Sequence, residues 1–104
     1  MKAMVRQGDV LLTKVDRIPP KAKLCTAKRG RFVLAEGEVT NHAHTICEVD
    51  GSLFIDDENR MFLRTEAGCE LVHQEHGPIA IPPGNFEVVR QREYSPEAIR
   101  NVAD

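Results

Sequence analysis

The sequence predicts an all-β fold: a small single-domain β-barrel or double sheet with a short C-terminal helix. Three observations carry that expectation. Short runs of aliphatic and β-branched residues recur along the chain, Gly, Pro and Asp-Gly turn signals separate them at regular spacing, and only one segment has helix-start chemistry. At 104 residues the chain accommodates one domain, taken as 1–104. A chain of this length buries a core of its own, so no metal is needed simply to fold.

Residues 10–15 read as a first strand, ended by Pro19-Pro20, which cannot donate to a ladder. Residues 32–35 form a second, stopping near Gly37, and residues 42–49 a third. Asp50-Gly51 then reads as a two-residue type I′ hairpin turn, because that turn needs positive φ at both positions. It leads into a strand at 53–55, followed by strands at 60–65, 69–73, 79–81 and 86–91, with a turn at Ala67-Gly68. The segment 90–94 reads as an exposed edge strand, its mixed charges discouraging edge pairing. Ser95 can cap, and Pro96 suits the first position of, a helix over about 96–103.

Composition excludes several functions. No apolar run approaches the roughly 20 residues that span a bilayer, so a membrane role is not expected. The N-terminus lacks the apolar centre of a secretory signal, which makes the cytoplasm the expected compartment. Cys25, Cys47 and Cys69 are odd in number and far apart, which argues against a disulfide framework or zinc knuckle and for buried free thiols. There is no glycine-rich phosphate loop and no serine nucleophile elbow.

Charge is uneven. Residues 1–31 carry nine Lys or Arg against two Asp, and residues 32–104 carry five against fourteen Asp or Glu, so +7 faces −9. A basic loop at 17–31 concentrates this excess. Its Lys21, Lys23, Lys28, Arg29 and Arg31 are candidate contacts for nucleic acid or another anion; the plainer alternative is a solvated loop that offsets the acidic remainder.

The four histidines fall in two close pairs, His42 with His44 and His73 with His76. On a strand, side chains two apart share a face, so Thr40, His42, His44, Ile46 and Glu48 point one way and Cys47 the other. Two imidazoles and a carboxylate make a metal half-site. The alternative is a pair of surface histidines beside a turn, satisfied by Thr40 and Glu48. With a two-residue Asp50-Gly51 turn, the register sets His44 opposite Asp57, which would then orient the ring as a partner behind the ligand. His73 and His76 lie at odd spacing, so both join one site only if residues 75–77 bend out of the ladder.

The motifs resemble those of the cupins, small double-sheet β-barrels. Gly37, then His42-Ala43-His44, then Glu48 after three residues and Gly51 follow the first cupin motif with shortened flanks. Gly77, then Pro82-Pro83-Gly84, then Glu87 and Gln91 follow the second, but Glu87 stands where the family has its last ligand histidine and Gln91 where it has asparagine. The resemblance implies a metal held by His42, His44 and Glu48, completed by His73, His76 or Glu87. Such a donor set suits Zn²⁺, Fe²⁺, Mn²⁺ or Ni²⁺. Two readings follow: a cupin-like metal-binding protein, extending to a metal-dependent enzyme on a small organic substrate, and a non-catalytic binding module contacting nucleic acid or a protein partner, including a second copy of itself.

Overall fold

A computed structural model describes residues 4–36 and 42–90. Every regular element among them is a strand, as the apolar runs predict: β1 (Met4–Gln7), β2 (Val10–Val15), β3 (Lys23–Leu24), β4 (Arg31–Glu36), β5 (Ala43–Cys47), β6 (Ser52–Ile55), β7 (Met61–Thr65), β8 (Cys69–Leu71), β9 (Ile79–Ile81) and β10 (Gly84–Arg90). The helix expected over 96–103 and the edge strand at 90–94 lie, beyond Arg90, outside the described residues, as do Gly37 and Thr40 of the first motif.

The ladders do not close into a barrel. One antiparallel sheet runs β1-β2-β10-β7-β6-β3, and two strand pairs, β4-β5 and β8-β9, stand apart from it. Thr45 and Val72 exchange both backbone hydrogen bonds at 2.9 Å, which ties the two pairs together. Alternation along the strands sends Val10, Leu12, Leu53, Leu63, Phe86 and Val88 of the large sheet, and Phe32, Leu34, Ile46, Leu71 and Ile81 of the small pairs, into one buried cluster. Among the described residues, β1 and β3 stand at the two ends of the large sheet and form no ladder with each other.

The Asp50-Gly51 hairpin is also corrected. A strand has two edges, and β5 has both taken, one by β4 and the other by Val72. β6 pairs instead with β3 and β7. Asp50 donates to Cys47 O at 3.0 Å and Glu48 to Gly30 O at 2.9 Å, so 47–51 is a corner between sheets, and Gly51 lacks the positive φ of a type I′ turn. The register that set Asp57 opposite His44 therefore does not exist, and Asp57 sits exposed in the β6–β7 turn.

Two further turns are formed beyond those predicted from the sequence. Gly8-Asp9 joins β1 to β2, with Gly8 at φ 59 in the first turn position, where a type II′ turn takes glycine. The basic segment 17–31 is more ordered than a loop: it contains β3 and ends in a two-residue hairpin, Lys28 and Arg31 bonding reciprocally around Arg29 (φ 53) and Gly30 (φ 79). The three thiols are free but half-buried rather than buried. Burial raises the thiol pKa of Cys25 and Cys69, which keeps both protonated and unreactive.

Candidate functional site

The fold gathers all four histidines. His44 lies on the inward face of β5 with Ile46, and is 2% exposed. His42 precedes that strand. After β8 the chain bends over 74–76, as the glycine and proline that follow suggest, and this turns His73 and His76 back toward His44. Ring centroids are 4.3 Å apart for His44 and His73, 4.7 Å for His73 and His76, 5.6 Å for His42 and His73, and 6.0 Å for His44 and His76.

The β1–β2 turn closes the cluster from the other side. Gln7 pairs with Val10, and Val10 with Arg90, so three adjacent strands bring Gln7, Asp9 and Arg90 to one end of the sheet. Gln7 Oε1 lies 2.8 Å from His44 Nδ1, while its amide nitrogen donates to Leu71 O and Gly77 O, both at 2.9 Å. Asp9 Oδ1 is 3.4 Å from His44 Nε2, and Oδ2 accepts from Arg90 Nη2 at 3.0 Å. Arg90 Nε is buried with no hydrogen-bond partner among the described residues. Gly8 makes this close approach feasible: a Cβ there would stand 2.7 Å from His76 Nε2 and 3.3 Å from His44 Cε1.

These neighbours set the charges. Burial lowers the pKa of His44, with His73 adding to it and Asp9 opposing it, so the ring is neutral at physiological pH. His73 is lowered by its burial and then by His76 and His42. Burial pushes Asp9 up, but the hydrogen bond and charge of Arg90 outweigh it and the carboxyl ends below its ordinary value. A carboxylate, held ionised, thus faces neutral imidazoles.

The sequence-predicted residues divide. His42, His44, His73 and His76 come together. Glu48 does not join them, because β5 ends at Cys47 and strand parity stops applying; the carboxylate is exposed in the corner, toward Gly30. Glu87 lies on β10 with parity opposite to the buried Phe86 and Val88, in the field of Arg60. Lys21, Lys23, Lys28 and Arg29 are exposed on the basic segment, and Arg31 donates to Thr45 Oγ1 at 2.8 Å. Gln7, Asp9 and Arg90 escaped sequence reasoning. Their one legible signal was a Gln-Gly-Asp turn between two strand runs, since loop tips on rigid scaffolds carry function.

The donor chemistry suits a transition metal, but the ring orientations as they stand do not. In a tetrahedral site with metal–nitrogen bonds of about 2.0 Å, imidazole centroids sit about 5 Å apart, and the observed spacings bracket that. Yet among the described residues no three His, Cys, Asp or Glu side chains form a group arranged to hold a metal ion. His73 Nδ1 accepts from the backbone N–H of Glu75 and His76 at 3.0 and 3.3 Å, which leaves its proton on Nε2. Ligation through His73 requires that ring to leave this turn.

A small all-β domain with its histidines collected against a β-hairpin turn is what fold and site define. The chain belongs to the family described as "Domain of unknown function (DUF8820)", which it matches over residues 6–91, a span that holds the whole cluster from Gln7 to Arg90. No curated protein and no solved structure matches it.

Proposed function

We propose that this domain binds a divalent transition metal through its histidine cluster. The observation that carries the reading is the convergence of all four histidines, from two distant segments, with the buried His44 set against the ionised Asp9. Random placement of four surface histidines does not bury one of them against a carboxylate. Asp9 takes the carboxylate role that the motif assigned to Glu48, with His44 and His76 as the first ligands and His42 or His73 completing the set after a rotation of the ring. An imidazole-rich set of this kind favours Zn²⁺ or Ni²⁺, and Fe²⁺ over Mn²⁺. In the cupin-like version of this reading, an open coordination position would admit a small organic substrate, for which the metal serves as Lewis acid.

Titration of tag-free, metal-stripped protein with Zn²⁺ and Ni²⁺ tests this. About one equivalent should bind with Kd at or below roughly 10 μM (about 7 kcal/mol), and His44→Ala should weaken it at least tenfold. No saturable binding by the wild type sinks the proposal.

A second reading has one observation of its own. The rigid Lys28–Arg31 hairpin holds Lys28 and Arg29 at an exposed tip, Arg29 in a left-handed conformation that costs a non-glycine residue about 1 kcal/mol. We propose phosphate contact there as the non-catalytic alternative. Its test is salt-dependent binding to duplex and single-stranded nucleic acid, lost on neutralising Lys28, Arg29 and Arg31.

A further inference from the structure

Gln7 makes three hydrogen bonds at once, and their directions are linked. Its amide nitrogen has two hydrogens, and two backbone carbonyls, of Leu71 and Gly77, each accept one at 2.9 Å. Flipping the carboxamide would set its oxygen against both carbonyl oxygens, acceptor facing acceptor. The orientation is therefore fixed, and Oε1 faces His44 Nδ1 at 2.8 Å. An oxygen that only accepts needs a donor there, so the proton of the neutral ring sits on Nδ1. The opposite tautomer would put a nitrogen lone pair against Oε1 at 2.8 Å in a buried site, and its Nε2–H would gain only the longer 3.4 Å contact with Asp9 Oδ1 in exchange.

We infer that Gln7 is a positioning residue: its carboxamide holds His44 in the Nδ1–H tautomer and so presents an unprotonated Nε2 to Asp9. What Nε2 is for rests on the metal-binding reading above, whereas the tautomer stands without it. A metal-ligating imidazole characteristically donates its second ring N–H to an oxygen behind it, and Gln7 supplies that oxygen. His73 provides the contrast within the same cluster. Its Nδ1 accepts two backbone N–H groups, so its proton sits on Nε2. The two rings whose centroids are 4.3 Å apart thus carry opposite tautomers, and His44 is the one prepared to ligate.

The experiment is long-range ¹H–¹⁵N correlation of the histidine rings in the full chain, metal-free, at about pH 8, above the ordinary histidine pKa of about 6.5. His44 should show a protonated Nδ1 and a bare Nε2, and His73 the reverse. Gln7→Met should let the other His44 tautomer appear and lower Zn²⁺ affinity about 10–100-fold. A wild-type His44 protonated on Nε2 overturns the inference, and this spectrum needs no variant to fold. So does a folded Gln7→Met protein with unchanged tautomer and unchanged affinity. If the wild type binds no metal, the metal reading fails, and the wild-type tautomer alone then decides for or against Gln7.

Discussion

Replacing Gly8 with alanine separates the stability of the β1–β2 turn from the geometry of the cluster. Gly8 has φ 59, and an added Cβ would lie 2.7 Å from His76 Nε2, 3.0 Å from His76 Cδ2 and 3.3 Å from His44 Cε1. Two costs follow. Forcing an L-residue into that backbone region costs about 1–3 kcal/mol, offset by about 0.4–1 kcal/mol because alanine restricts the unfolded chain. The contact with His76 adds little to this, since His76 is exposed and its ring can swing outward. His44 cannot, being 2% exposed. The net expectation is a loss of up to about 2.6 kcal/mol, centred on about 1.3, with a Tm decrease of about 4–8 °C for each kcal/mol in a domain of this size. Urea denaturation at neutral pH reads the loss, with an unchanged m-value showing that only stability moved. Histidine ring spectra read the site: His76 should shift strongly and His44 weakly. A Gly8→Ala protein as stable as the wild type, with an undisturbed His76 ring, would refute both the turn assignment and the close approach.

Other expectations can be checked with the same methods. His44 and His73 have lowered pKa values in the folded protein, so the unfolded chain takes up protons first as pH falls; stability should drop below about pH 6.5 and level off once the folded values are passed. Urea midpoints across that range, flattened in a His44→Gln variant, would show it. Arg29→Asn should stabilise by roughly 0.5–1 kcal/mol, because asparagine tolerates the left-handed conformation at φ 53 better than arginine; an equal or lower urea midpoint contradicts the turn. Ile46→Ala, at a position with no exposure beneath His44, should cost about 2–5 kcal/mol in urea denaturation. Arg90→Met removes the charge and hydrogen bond that hold the Asp9 carboxyl down, so its pKa should rise in a carboxyl NMR titration.

Local chemistry was legible and distant pairing was not. The strand at 10–15 could be read from its apolar run and its proline stop, and residues 32–35 fall within β4, because both signals are contained within a few residues. Asp50-Gly51 misled for the opposite reason. A dipeptide reports what its backbone tolerates, while pairing depends on which edges remain open, and both edges of β5 are occupied, by β4 before it and by Val72 beyond it. The cluster divides the same way. Four rare histidines in two pairs announced themselves, and their gathering needed only the bend at 74–76. Gln7 and Arg90 had no such signal: Gln7 meets His44 across 37 positions and Arg90 meets Asp9 across 81. Strand parity ranked Glu48 as a ligand because it assumed that the strand continued to residue 48.

The order β1-β2-β10-β7-β6-β3 also sets a timetable for folding. β10, the last described strand, lies between β2 and β7 and supplies ladder partners to both. Until residues 84–90 leave the ribosome, the β1–β2 hairpin and the β6–β7 hairpin are separate pieces, each with an open apolar edge. A nascent chain therefore keeps these edges open until β10 has emerged. Insertion of β10 joins the two pieces and also delivers Arg90 to Asp9. A chain cut before Gly84 should aggregate rather than fold partway, since no smaller sheet in it has a finished interior.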